Sequence, residues 1–365
     1  MPATPRGESN PPPLYPGAKE GRALVNHFLP AQLTDRNGWS ADIFTAFAAM
    51  QITPSLENIC AVAAVIEQES GFVADPRVPG LAKIARREIE KRRVAHGIPA
   101  WAVNAALKLA SADGRTYSQR IQSARTEGDL NDIFEDFISR VPMGKTLFGY
   151  LNPVHTGGPM QVSVSFANEQ VRKRPYPYPL KGNDVRREVF TRRGGVYFGI
   201  AHLLDYRVDY ASPVFRFADF NSGRYSSRNA AFQQALTLVT GITLTPDGDI
   251  LFYENGQRSS KTSRTMAAAR TLSSRIGQSV SSIDSDLSQE KEANFDTTAI
   301  YRKTFALADR INGTPLPRAV LPGIDIKGPK IQRKLTTAWF AQRVAARMRS
   351  CLDRGAANAA KSPMQ

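Results

Sequence analysis

The stretch ICAVAAVIEQESGF, Ile59 to Phe72, is the feature that constrains this chain most. Eight apolar residues with no polar interruption, entered from Thr53-Pro54 and Glu57, predict a helix running to about Glu69, with Pro54 at its first position and Glu57 in its first turn. A helix apolar on every face has to be enclosed by other elements rather than laid on a surface. It then ends on two carboxylates, Glu67 and Glu69, before Ser70-Gly71. A carboxyl at the edge of an apolar core is poorly solvated, so its charged form is disfavoured and it can hold a proton near neutrality. That is what a general acid needs. Taken alone, the two acids read equally as the wet end of a helix.

The rest of the chain supplies helices to enclose it. Ser40 reads as the N-cap of a helix carrying Trp39, Ile43, Phe44 and Phe47 on one side. Three helical patterns are expected between 80 and 150, the first being Leu81 to Val94 with the basic string Lys83, Arg86, Arg87, Lys91, Arg92, Arg93, read as a solvated face. Further patterns cover Val196 to Arg207, Pro213 to Asn221 and Asn229 to Val239, stopped by Gly241. Ile242 to Tyr253, two β-rich runs around Pro246-Asp247-Gly248, reads as a hairpin. Helices at roughly 262 to 287, 295 to 312 and 334 to 352 follow. The expected fold is mainly α with one small β-hairpin.

The organisation expected is a flexible Pro-rich leader at 1–20, a core at 21–240 containing a helical insertion at about 81–150, a hairpin and helical region at 241–352, and a flexible tail at 353–365. The 365 residues include 48 Lys and Arg against 33 Asp and Glu, a net charge of +15 that favours polyanions, whether nucleic acid, anionic lipid or a carboxylate-bearing cell wall. No nucleic-acid-binding signature accompanies the charge, and no nucleic-acid partner is expected. Four scattered histidines, His155 and His202 among them, give no metal-ligand spacing, so no metal and no cofactor is expected. Cys60 reads as a buried hydrophobe, and the sequence leaves open whether it pairs with Cys351. Tyr176 and Tyr178 read as a proline-packed loop, with sugar stacking as the alternative.

Four blocks in order carry a resemblance. Glu69-Ser70-Gly71-Phe72, Gly158-Pro159-Met160-Gln161, Gly194-Gly195 with Gly199 to Leu204, and Ala218-Asp219-Phe220-Asn221-Ser222-Gly223 together resemble the lytic transglycosylases over about 57 to 237. The chain as a whole looks like an uncharacterised Gram-negative lipoprotein family built around this lysozyme-like core. The resemblance implies a lysozyme-like fold and a periplasmic, probable outer-membrane lipoprotein, with a signal and a lipid-bearing cysteine upstream of the residues given. It implies that Glu69 is the catalytic acid and then base, that Ser70 is its usual neighbour, and that Met160, Gln161, Phe220 and Asn221 line the glycan groove, with Glu67 pointing away. The implied substrate is peptidoglycan. Glu69 would protonate the MurNAc-GlcNAc oxygen, then deprotonate the muramyl 6-hydroxyl, which closes a 1,6-anhydro ring without water. A second carboxylate is therefore not required, and Asp75 and Asp219 read as surface or turn residues. This chain departs from the pattern in the long interval between Glu69 and Met160, in Phe220 where the family has Tyr, in Pro159 before Met160, and in lacking a match to the serine that usually follows the acid. The alternative is a non-catalytic peptidoglycan-binding or scaffolding lipoprotein on the same fold.

Overall fold

The computed structural model describes residues 16–140, 152–180, 184–254, 257–326 and 335–361. Among them it is helical almost throughout, with three two-stranded antiparallel pairs. The element that organises the fold is the expected apolar helix, α3 (Leu56–Glu69), following α1 (Ala18–Phe28) and α2 (Arg36–Met50). Every residue from Ile59 to Ile66 is buried, so α3 is surrounded as its composition demands. Two caps differ from expectation. Asp35 rather than Ser40 caps α2, accepting from Gly38 N, and Ser40 lies buried inside that helix; Ser55 rather than Pro54 opens α3, accepting from Asn58 N at 3.2 Å. In both places a short oxygen-bearing side chain sits three residues before an unbonded helix-start N–H, which is the stronger signal.

The stretch expected as a helical insertion comes next and holds α4 (Leu81–Ala95), α5 (Ala100–Lys108), α6 (Tyr117–Ser123) and α7 (Glu127–Ser139). It has its own small apolar core, in which Leu81, Tyr117, Ile121 and Leu130 pack with Val154 and Phe190 from the main body. The chain then forms a short hairpin, β1 (Thr156–Gly157) with β2 (Val162–Ser163), and runs on through α8 (Val164–Lys173), α9 (Val185–Val189), α10 (Arg192–Leu204), α11 (Pro213–Ser222) and α12 (Ser226–Thr240).

The expected hairpin at 242–253 is absent. Pro246-Asp247-Gly248 forms a turn that plugs the side of α12, with Gly248 N donating to Gln233 Oε1 at 2.8 Å. Gly248 has φ +84°, and a Cβ there would meet the Ser226 carbonyl at 2.6 Å, so glycine is required by both conformation and space. Only Tyr253–Glu254 (β3) pairs with Gln257–Arg258 (β4). The Ser-rich stretch expected as one long helix is broken into α13 (Arg264–Arg270), α14 (Ser273–Ile276) and α15 (Val280–Leu287), and α16 (Ala299–Asn312) follows a 3₁₀ turn. These elements share a core with α12 in which Phe232 and Tyr301 stack and Phe295 meets both edge-on.

The last helix, α17 (Thr337–Lys361), does not belong to that second core. It returns to the first and packs against α3, α11 and α1, preceded by β5 (Asp325–Ile326) paired with β6 (Leu335–Thr336). Ala341, Val344, Met348 and Cys351 recur at three- and four-residue steps and are all buried, forming the stripe that faces α3. Cys351 forms a disulfide with Cys60, across a separation of 291 residues, and Arg347 pairs with Glu67. The second core takes in α12 as well as α13 to α16, so it crosses position 240/241, and α17 is part of the core around α3. Among the described residues no helix is long and apolar enough to cross a membrane.

Candidate functional site

At the C-terminus of α3, burial ends abruptly. Ile66 is fully enclosed, and Glu67, Gln68, Glu69 and Ser70 are each partly exposed. Glu67 turns onto α17, where it accepts from Arg347, while Gln68 accepts from the same arginine at 3.1 Å. Glu69 is the last residue of α3 and is partly exposed. Ser70 closes the helix, its hydroxyl donating to Ile66 O at 3.0 Å, so its part is that of a C-cap. Gly71 and Phe72 then both take left-handed conformations, φ +60° and +63°, and the turn buries Phe72 edge-on against Trp39 at 5.3 Å. For a phenylalanine that backbone is costly and is held by the surrounding packing.

The turn leads to Asp75, which meets the insertion. Asp75 accepts from Gly128 N at 3.3 Å, at the start of α7, and Arg77 makes a β-bridge to Thr126. Burial pushes the Asp75 carboxyl above the usual carboxylate range. Asp75 is therefore neither a plain surface residue nor a simple turn former. Beside Gly128 stands Glu127, buried, whose carboxylate accepts from Gln161 Nε2 at 3.1 Å. Sequence reasoning missed Glu127, because a first-turn helix acid after Thr126 reads as ordinary capping; only the fold places it on the Met160-Gln161 segment.

That segment is shaped by glycine. Gly157, Gly158, Pro159 and Met160 lie against the end of α9 and the start of α10 with almost no space between backbones. A Cβ on Gly157 would strike the Phe190 ring at 2.2 Å, one on Gly158 the Val189 carbonyl at 2.1 Å, one on Gly195 Pro159 Cδ at 2.3 Å and one on Gly199 Met160 Sδ at 2.3 Å. The Gly-Pro-Met-Gln and Gly-Gly-x-x-x-Gly blocks of the sequence are thus the two sides of one contact. Met160 is fully buried in it, so its side chain has no surface to offer a glycan, and the expectation that it lines the groove is corrected to one of support. Gln161 sits directly above with φ +51°, another left-handed non-glycine, partly exposed and held by Glu127 and by the Gly158 carbonyl at 3.3 Å.

Asn221 and Phe220 end α11. Thr337 donates to Asn221 Oδ1 at 2.9 Å at the start of α17. Because α17 runs antiparallel to α3, as the Cys60–Cys351 and Glu67–Arg347 pairs show, its start lies beyond the end of α3 at which Glu69 emerges. Phe220 is half-buried against the His202 ring at 5.1 Å, with its carbonyl 3.2 Å from His202 Nε2. His202 is enclosed between Phe220 and Phe166, and burial lowers it to about 4, so it is a neutral core residue. Asp219, expected at the surface or in a turn, is fully buried. It accepts from the hydroxyls of Tyr206, Tyr210 and Ser226 and the backbone N–H groups of Tyr225 and Ser227, tying α11 to α12. It is a structural hub with no access to a ligand. Tyr176 and Tyr178 are half-buried and engaged by the fold, Tyr176 stacking on Phe198 and donating to Glu188 at 2.8 Å, Tyr178 donating to Asp42 at 3.2 Å. Their sugar-stacking alternative is set aside. Among the described residues no cluster of His, Cys, Asp and Glu is arranged to hold a metal ion.

No solved structure matches this chain significantly. Its sequence is 47% identical over 344 residues, 94% of this chain and 93% of the other, to the uncharacterised protein YaiW of Escherichia coli (strain K12). Residues 32–354 match the family described as "Protein of unknown function (DUF1615)", an extent that takes in α3, the insertion, the second core and most of α17. The chain is a member of the DUF1615 family.

Proposed function

We propose that this protein is a lytic transglycosylase that cleaves the MurNAc-GlcNAc bond of peptidoglycan, with Glu69 as general acid and then base. The observation that carries the reading is the pairing of a carboxylate at the end of a helix buried from Ile59 to Ile66 with two left-handed non-glycine residues, Phe72 and Gln161, in the two segments that resemble the family's motifs. Backbone held in such conformations concentrates where a ligand must be met by fixed groups. Gln161 offers an amide able to donate and accept toward an N-acetyl or hydroxyl group. Asn221 occupies the matching position at the end of α11. One acid suffices if the substrate's own 6-hydroxyl replaces water: Glu69 gives its proton to the bridging oxygen as that bond breaks, then takes the proton of the hydroxyl that bonds to C1. A periplasmic, lipid-tethered setting belongs to the same proposal, and the buried Cys60–Cys351 disulfide supports an oxidising compartment.

The test is digestion of purified sacculi. Wild-type protein is expected to release muropeptides lighter by one water than hydrolytic products. Glu69→Gln keeps the shape and removes the proton, and should lower release by about 10² to 10⁴-fold while retaining sacculus binding; Glu67→Gln, which perturbs only the contact with Arg347, should do little. Reducing ends would mean that water attacks and that Asp75 or Glu127 acts as a second carboxylate. Retention on sacculi without release would leave a binding protein, and full activity of Glu69→Gln would sink the assignment.

A further inference from the structure

The insertion contains something its fold does not explain. Helix α5, AWAVNAALK, is as apolar as a core helix, yet none of its nine residues is buried. The reason is a hollow beneath it. Between α4, α5, α6 and α7 lies a cavity of about 580 Å³, lined by apolar side chains from all four helices, Val103, Ala106, Ile121, Leu130 and Phe134 among them. The hollow is open on one side, and 300–1,000 Å³ with mainly apolar walls is the usual form of a small-ligand pocket.

The chemistry of the walls selects the occupant. Tyr117 is the lining residue with a hydroxyl, and that group is already committed to Asp136 at 3.0 Å. A sugar or a peptide placed here would therefore lose its hydration with nothing to replace it. An acyl chain has no such groups. Among the described residues no Asp or Glu lines the cavity, whereas Arg92 and Arg93 of α4 do, Arg92 against His155 and Arg93 paired with Glu90 at 2.6 Å at the rim, and Lys83, Arg86, Arg87 and Lys91 are exposed on the same helix. A cationic edge on an apolar pocket complements a negatively charged head group, since long basic side chains keep their stems on apolar surface and their charge in water.

We infer that the helical insertion is a binding site for a single-chain anionic amphiphile, a fatty acid being the simplest, with the acyl chain in the α4–α7 cavity and the head group at Arg92 and Arg93. The inference is independent of Glu69 and its chemistry. It also gives the basic string on α4 a role other than solvation.

The experiment uses the full chain, stripped of bound lipid, and a fluorescent polyene fatty acid displaced by palmitate below its aggregation concentration. One saturable site is expected. Ala106→Phe, which fills the cavity from α5, should weaken palmitate at least ten-fold without lowering the melting temperature; Val103→Phe serves as an independent filling variant should the first fold poorly. Replacing Arg92 and Arg93 together by Gln should weaken palmitate and leave uncharged hexadecanol unchanged. Absence of saturable displacement, undiminished affinity in both filling variants, or equal binding of a hexadecyl trimethylammonium cation would each overturn the proposal.

Discussion

Gly199→Ala is a substitution whose sign is decided by competition between two effects of known size. In the middle of a helix such as α10, glycine to alanine ordinarily stabilises by about 1 kcal/mol, because the backbone loses freedom that glycine keeps in the unfolded chain. Here the added Cβ would stand 2.3 Å from Met160 Sδ, 2.6 Å from its Cβ and 2.8 Å from its Cγ. Carbon–carbon contacts settle at about 3.5–4.0 Å, so all three atoms would have to retreat. The thioether end could turn; Met160 Cβ is fixed to the backbone, and with the residue fully buried that backbone must move. Overpacking of this kind costs about 1–3 kcal/mol, and after the gain of about 1 kcal/mol the net expected is a loss of up to about 2 kcal/mol. Urea unfolding measures it. Because Gln161 rides on Met160, release from sacculi should fall in the same variant. In a Met160→Ala background, where Sδ and Cγ are gone, the cost of Gly199→Ala should shrink. A Gly199→Ala protein more stable than wild type, or effects of the two changes that add within about 0.5 kcal/mol, would refute the view that this contact sets the Gln161 segment.

Other consequences can be checked without substrate. Opening the Cys60–Cys351 bond releases a closure of 291 residues that pins α17 along α3, so the reduced and alkylated protein should lose about 2–5 kcal/mol, read as a lower urea midpoint; an unchanged midpoint would mean that α17 is held by packing alone. Glu290, 1% exposed, has its carboxyl pushed by burial from the ordinary range up to about 7. The fold prefers its neutral form, so its contribution to stability is complete below about pH 4.5 and lost as pH rises through about 7. The stability difference between Glu290→Gln and wild type should therefore move in the variant's favour by roughly 3 kcal/mol between pH 4.5 and 8, and a difference flat across that range would contradict the burial argument.

The sequence by itself determined the elements whose cause is local. An uninterrupted apolar run made α3 a buried helix, because no other state removes so many apolar faces from water at once. Gly241 stopped α12, and Lys83, Arg86, Arg87 and Lys91 of α4 stayed at the surface. What the tertiary structure decided depended on residues far apart in the chain. Pro246-Asp247-Gly248 has every mark of a hairpin turn, yet Gln233 takes the Gly248 N–H and the β-rich flanks never pair. Asp219 looks like a turn acid until five donors, from the start of α12 and from the loop between α10 and α11, enclose it. Glu127 is an unremarked helix-start residue until it meets Gln161, 34 positions later. Met160 changes from groove lining to core because Gly199 leaves room for it and for nothing else. Local propensity fixes which segments are helical, since it acts within one turn of chain; which acid is buried, which cysteine finds a partner and which amide meets which carboxylate are settled only when distant surfaces close on one another and exclude water.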